Sequence, residues 1–217
     1  MATVHLLEAV RLECPDCRML AVGSVQRPSE NRLMESENPY GFSKTLQFMA
    51  AKAWNRWYGM NILVAEPSNL IGPGGSAGIC GKIARWAAEV EARGGGPPFR
   101  LSSLHEKRDF LDVRDAVAAY EILFLAGTPG SVYAIESGTY RTLEELKLAF
   151  EAEAHCKLEW QIGNAPANVP APRDTSPIRL LGWQPKIPFR QSISDALEEE
   201  RRRRQAQKRT VLPDQAE

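Results

Sequence analysis

The sequence predicts an α/β chain in which helices cover a mostly parallel sheet, with a smaller α/β part toward the C-terminus. Three observations carry this. Short apolar runs alternate with longer stretches of helical periodicity through about the first hundred residues, the pattern of strands joined by helical crossovers. Glycine, proline and asparagine cluster between those runs, where turns are needed. The 217 residues, 43% hydrophobic and 25% charged, suffice for a sizeable core.

The elements follow in order. Met1 to about Arg11 has amphipathic helical spacing, and Met19 to Gly23 is a short buried strand ending at Gly23-Ser24. After a polar loop, Tyr40 to about Trp57 is a long helix. Asn61–Ala65 is the next strand, running into the turn Pro67-Ser68-Asn69, and the glycines and proline of Ile71–Gly75 predict an irregular loop. Ile79, Ile83, Trp86 and Val90 mark one face of a helix that Gly94-Gly95-Gly96 ends. Arg108–Val113 is extended, Asp115–Leu125 helical, and Ser131–Glu136 alternates like a strand. Thr142 and Glu145 are spaced as a capping box for a further helix. Lys157–Ile162 reads as a strand, whereas the prolines of Asn164–Pro172 exclude regular structure. A last helix begins at Ser192, and residues beyond about Gln207 are expected to form a frayed tail.

Composition narrows the function classes. Twenty-seven basic residues balance 27 acidic ones, so no global field draws nucleic acid or an anionic membrane. The run Arg201–Arg204 follows Glu198–Glu200 at helical spacing and is explained by ion pairs along a solvated helix. No apolar run approaches the roughly 20 residues of a membrane helix, and no basic and apolar leader follows Met1, so a cytoplasmic location is expected. Cys14 and Cys17 form a C-x-x-C without the second ligand pair of a zinc site, and are expected to be a reduced helix-to-strand connection. His5, His105 and His155 lie far apart in sequence and are read as packed or solvated.

The candidate chemistry lies on the long helix. Tyr40 and Lys44 are four residues apart and share a face, while Phe42, Leu46, Met49, Ala53 and Trp57 gather on another, expected to face the core and leave the pair lining a cleft. A phenol titrates near pH 10, and moving it by ~3 units takes roughly 4 kcal/mol of differential interaction, which a neighbouring ammonium supplies in part. Such a tyrosine can exchange a proton with a hydroxyl or ketone oxygen, and Ser24 at a strand end can hydrogen-bond the same oxygen. Ligands of parallel sheets bind at the carboxyl ends of strands, where both Ser24 and the turn Pro67–Asn69 fall.

Several segments in order carry a family resemblance. They are Gly23-Ser24, Asn38-Pro39-Tyr40-Gly41-Phe42-Ser43-Lys44, Pro67-Ser68-Asn69-Leu70-Ile71-Gly72-Pro73-Gly74, the run Arg108-Asp109-Phe110-Leu111-Asp112-Val113-Arg114-Asp115, and Leu181-Gly182-Trp183-Gln184-Pro185. Together they resemble the extended short-chain dehydrogenase/reductases, and among them the GDP-4-keto-6-deoxy-mannose reductases and GDP-mannose 4,6-dehydratases. The resemblance implies a partial Rossmann-type parallel sheet, with residues 1–75 as the remainder of the dinucleotide-binding domain, 76–205 as a substrate-binding part interleaved with its last elements, and 206–217 as a tail. It implies Ser24, Tyr40 and Lys44 as the catalytic trio, with Tyr40, Lys44, Pro67 and Ser68 at NAD or NADP. It implies Ser24, Asn69, Arg108 and Arg173 at a GDP-hexose, an arginine fork matching diphosphate oxygens. The competing expectation for Arg108 is a surface ion pair with Asp109 or Asp112. Homodimerisation through the tyrosine-bearing helix and its neighbour is a further implication.

The sequence departs from the family pattern in three ways. It contains no G-x-G-x-x-G or G-x-x-G-x-x-G, and Met1 falls where the helix before the serine-bearing strand is expected, so the first mononucleotide-binding half is expected to be missing. Ser24 is followed by Val25 and Gln26 rather than acidic residues, which disfavours dehydration against reduction or epimerisation. Glu66 and Ala165 stand where relatives often carry arginine, and an unpaired carboxylate at Glu66 would repel a diphosphate. Two readings follow: a nucleotide-sugar oxidoreductase, or a non-catalytic remnant acting as a binding or interaction module.

Overall fold

The structure is a computed structural model that describes residues 2–28, 30–35 and 38–211. In chain order its elements are α1 (Ala2–Glu13), β1 (Met19–Val22), a 3-10 segment (Glu30–Glu35), α2 (Pro39–Tyr58), β2 (Ile62–Pro67), β3 (Asn69–Ile71), α3 (Ile79–Arg93), β4 (Phe99–Leu101), β5 (Lys107–Asp112), α4 (Val113–Ala126), β6 (Val132–Ile135), β7 (Tyr140–Thr142), α5 (Leu143–Glu153), β8 (Trp160–Ile162), α6 (Ser176–Leu180) and α7 (Phe189–Val211). They form two compact units: Met1–Ser68 with Asp115–Gly138 and Pro172–Pro185, and Asn69–Arg114 with Thr139–Ala171 and Lys186–Glu217.

The first unit is built on the three-stranded sheet β1-β2-β6. All pairings are parallel, with Met19 to Val22 opposite Ile62 to Ala65 and Val64 to Pro67 opposite Val132 to Ile135. Every residue of β2 is buried, which is why it reads as a continuous apolar run rather than an alternation. Leu7 of α1 and Phe48 and Ala51 of α2 pack on Met60, Ile62 and Val64. Helix α2 starts where Asn38 accepts the Gly41 N–H at 2.8 Å and Pro39 fits the first turn, and it stops at Gly59, whose φ of 67° needs glycine. Trp183 of the Leu-Gly-Trp-Gln-Pro segment is buried in this unit and donates its indole N–H to the Asp115 carbonyl at 2.9 Å.

Two expectations are corrected here. The apolar stripe of α2 does not face the core: Phe42, Leu46, Met49 and Trp57 are 37, 45, 41 and 65% exposed. The helix instead buries Gly41, Thr45, Phe48 and Ala51. A helix lying close on a sheet needs small residues at the contact, and the Thr45 hydroxyl is satisfied within the helix by the Gly41 carbonyl at 3.0 Å. Cys14 and Cys17 are joined by a disulfide rather than reduced. The turn that ends α1, with the Cys17 N–H donating to the Cys14 carbonyl at 2.9 Å, brings their Cα atoms to 5.4 Å, inside the bridging range.

In the second unit β3 pairs parallel with β5, β5 antiparallel with β7, and β4 parallel with β8. Asn69 to Ile71, expected as the end of a turn and the start of an irregular loop, is therefore a strand. Its core joins Ile83, Ala84 and Ala87 of α3 to Leu143, Leu146 and Phe150 of α5 and Ile193 and Leu197 of α7. The capping box of α5 forms, with the Glu145 N–H donating to the Thr142 hydroxyl at 3.0 Å and the Thr142 N–H to the Glu145 carboxylate at 2.7 Å. Helix α7 begins at Phe189, before the expected Ser192, and runs on to Val211, through the start of the expected tail; residues 212–217 lie outside the described ones. Its charges pair along the helix, as Arg203 with Glu199, and with α3, as Arg201 with Glu91 and Arg204 with Glu89.

Candidate active site

Tyr40 sits in the first turn of α2 and is 49% exposed. Lys44 is one turn further on, its Nζ 6.0 Å from the Tyr40 ring centroid. That ammonium donates to the Val22 carbonyl at 2.8 Å and to Gln47 Oε1 at 3.1 Å. The first bond aims the amine at the carboxyl end of β1. An ammonium has three donors, so one remains beyond these two. The local cause is α2 itself: Asn38 and Pro39 fix its start, and the buried Gly41–Thr45–Phe48 face sets its rotation, turning the Tyr40–Lys44 face away from the core.

Ser24 follows β1 and is buried. Its hydroxyl accepts the Gln26 N–H at 3.1 Å, and its carbonyl accepts the Arg27 N–H at 3.3 Å. The oxygen that would meet a substrate thus lies in a closed turn with its proton still to donate. Gly23 donates to the Ala65 carbonyl at 2.7 Å and Val25 to the Pro67 carbonyl at 3.4 Å, so the turn is stitched to the end of β2. A Cβ at 23 would meet Glu66 Cγ at 3.1 Å, so a larger residue there would press on Glu66. Pro67 closes β2, and the buried Ser68 donates its N–H to the Ile135 carbonyl at 2.9 Å. Ser24, Lys44, Pro67 and Ser68 therefore share the carboxyl ends of the parallel strands, where such sheets bind ligands.

Arg173, read as a substrate contact, is engaged elsewhere. It donates to the Glu66 carboxylate and to the Glu66 carbonyl at 3.4 Å, and lies 3.8 Å from Glu136. Glu66 is also bonded by Arg27, which follows the Ser24 turn. The carboxylate that sequence alone makes repulsive to a diphosphate is thus neutralised from two sides.

Asn69 and Arg108 belong to the second unit. Asn69 donates its side-chain amide to the Asp109 carbonyl at 3.0 Å. Arg108 pairs with neither Asp109 nor Asp112 but with Glu106, through Nε at 2.9 Å and Nη2 at 2.6 Å. Asp112 is taken by Arg114 and by the Ser192 hydroxyl at 2.6 Å. Burial pushes the Asp112 carboxyl up, but those donors outweigh it and hold the group below the ordinary carboxylate value.

Sequence reasoning missed Arg27, Glu136 and Tyr120. Arg27 and Glu136 carried no motif, although the mismatch at Glu66 hinted that cations must lie near it. The Tyr120 hydroxyl is buried and has no hydrogen-bond partner among the described residues, and burial, with the Tyr40 charge adding, pushes it up to about 12. It stays a neutral phenol at physiological pH, while Tyr40 meets solvent. Among the described residues no group of three or more His, Cys, Asp or Glu is placed to hold a metal, and no helix is long and apolar enough to cross a membrane.

A tyrosine and lysine one turn apart, the lysine bonded to the carboxyl end of a parallel strand, fit the class of short-chain dehydrogenase/reductase-type α/β proteins. The sequence model of the family described as GDP-mannose 4,6 dehydratase matches residues 1–196, and the chain belongs to that family. It is 31% identical over 176 residues to a GDP-6-deoxy-D-mannose reductase of Pseudomonas aeruginosa, covering 76% of this chain and 56% of that protein. It is 27% identical over 166 residues to a dTDP-glucose 4,6-dehydratase of Streptomyces niveus, covering 74% and 48%. The chain thus spans about half the length of the curated relatives it matches. The fold superposes on the solved structure of RMD from Pseudomonas aeruginosa complexed with NADPH, with a TM-score of 0.79 and 27% identity, over 93% of this chain and 72% of that one. The Rossmann-like α/β fold is established by that match.

Proposed function

We propose that this chain carries the catalytic part of an NAD(P)-dependent nucleotide-sugar oxidoreductase that reduces the 4-keto position of a GDP-6-deoxyhexose. The observation that carries the reading is the placement of the Lys44 ammonium at the end of β1, one turn from an exposed Tyr40 and beside the Ser24 turn. Bound NAD(P)H would supply the hydride. The residues present fit its nicotinamide-ribose end: Lys44 keeps a donor that would serve the ribose hydroxyls, and Pro67 and Ser68, at the end of β2, would hold the nicotinamide. Tyr40 delivers a proton to the keto oxygen as it becomes a hydroxyl, and the Ser24 hydroxyl donates a hydrogen bond to the same atom. Arg108 exchanges its bond to Glu106 for the diphosphate, which offers the guanidinium a bidentate anion of higher charge. Asn69 lies one strand over and donates to the same group.

The neighbouring chemistries fit less well. Dehydration calls for an acid and a base beside the serine, and Val25 and Gln26 stand there. The relatives' names support a sugar nucleotide, and the first of them a GDP-linked 6-deoxyhexose. Substrate-dependent oxidation of NADPH by the full chain tests the reading. Consumption of NADPH with GDP-4-keto-6-deoxy-mannose, absent without the sugar, supports it; saturable NADPH binding with no consumption favours a binding module instead.

The exposed stripe Phe42, Leu46, Met49 and Trp57 supports pairing of α2 with a second copy of the chain. Light scattering should then report a dimer that Leu46→Glu converts to monomer. A monomeric wild type would remove this part of the proposal.

A further inference from the structure

We propose that Glu66 is a positioning residue that sets the Ser24 turn through Arg27, with Arg173 as its counterweight. This rests on Ser24 being the hydrogen-bond donor of the site proposed above. The two carboxylate oxygens of Glu66 go to different cations, Oε1 to Arg27 and Oε2 to Arg173. The side chain of Glu66 is 5% exposed, so these charges meet with little water between them.

Arg27 joins three parts of the site. Its backbone N–H closes the Ser24 turn at 3.3 Å. Its guanidinium lies over the Phe48 ring, 3.7 Å from the centroid, one turn beyond Lys44 on α2. Its Nε reaches Glu66, immediately before Pro67. A shift of Arg27 therefore moves the serine turn relative to both the lysine-bearing helix and the strand end. Arg173 completes the arrangement by spanning Glu66 and Glu136 at the ends of β2 and β6, and its 27% side-chain exposure places it between the buried pair and solvent.

The charge count supports a built device rather than a chance pair. Two carboxylates, 5 and 3% exposed, meet two guanidiniums. Removing Glu66's charge takes one anionic partner from both Arg27 and Arg173. The prediction is loss of local order at Ser24 rather than loss of the sheet.

Amide hydrogen exchange on the full chain, followed by NMR, tests this. In Glu66→Gln the Gln26 and Arg27 amides should exchange about tenfold faster, the effect of losing one charge-assisted hydrogen bond, while Val64 and Ala65 in the sheet are unchanged. Arg27→Lys, which keeps the cation, should hold protection within about threefold of wild type, and Arg27→Met should match Glu66→Gln. If Glu66→Gln does not fold, Arg27→Met gives the same readout. Unchanged protection at Gln26 and Arg27, or an equal loss across the sheet, overturns the proposal. NADPH titrations on the same samples keep the two readings apart. A wild type that binds no NADPH counts against the proposed function, and the exchange data still decide the role of Glu66. Where the wild type turns over, Glu66→Gln should lower kcat about tenfold with KM unchanged, since a displaced serine donor acts on the transition state.

Discussion

Tyr40 is the residue on which the proposed chemistry turns. It is exposed at the start of α2, and nothing in the buried face of that helix depends on its hydroxyl. Tyr40→Phe should therefore lower turnover by about a hundredfold or more, the usual worth of a positioned proton donor, with NADPH affinity within about twofold. Steady-state kinetics beside calorimetry checks this, and equal losses in both would point to a structural role. Asp112 makes a different prediction. Its folded-state carboxyl lies below the ordinary value, so it contributes stability above an ordinary carboxylate pKa of about 4 and loses it as pH falls through the depressed value. Melting curves taken downward from neutral pH should show an acid-side loss of Tm that is smaller in Asp112→Asn, at a lower starting Tm. An identical acid limb in both proteins would remove Asp112 from the account. Both residues stood in recognisable motifs. The partners of Asp112 did not: Ser192 lies 80 residues away, and sequence spacing carries no sign of that contact.

Helix α2 shows what sequence periodicity conveys and where it misleads. Its limits were nearly legible: periodicity placed it at Tyr40 to about Trp57, and Asn38, Pro39 and Gly59 set it at Pro39–Tyr58. Its rotation was not. Counting apolar residues chose the face of Phe42, Leu46, Met49 and Trp57, whereas the close approach to the sheet selected Gly41, Thr45 and Ala51 with Phe48. The distinction is measurable. Phe48→Ala should cost about 3–5 kcal/mol, the range for emptying a buried aromatic site, while Leu46→Ala should cost under about 1 kcal/mol. Denaturant unfolding of the two variants checks this, and comparable losses would contradict the assignment of faces. The short strands Phe99–Leu101 and Tyr140–Thr142 escaped the sequence reading for another reason. Three residues are too few to show a period of two, and each is held by a partner distant in sequence: Phe99 faces Trp160, and Tyr140 faces Asp109.

At the scale of the molecule, the sequence announced a parallel α/β chain and the marker order of its family, and the structure supplies what order cannot: which side chains are already spoken for. The resemblance implies Arg173 and Arg108 as substrate contacts, and each is held by glutamate, Arg173 by Glu66 and Arg108 by Glu106. Under the proposed function, recognition of a diphosphate would be an exchange of partners, its strength the difference between two charge-assisted bonds rather than the whole of one. The central claim is narrower than that recognition. It holds that Lys44, fixed on the Val22 carbonyl, receives a dinucleotide beside Tyr40 and Ser24. Calorimetric titration of NADPH into the full chain and into Lys44→Met tests it most directly. The account predicts saturable binding to the wild type that weakens about tenfold or more in the variant, the worth of a charge-assisted hydrogen-bond donor. Equal affinity in the two proteins, or no binding to the wild type, would contradict it.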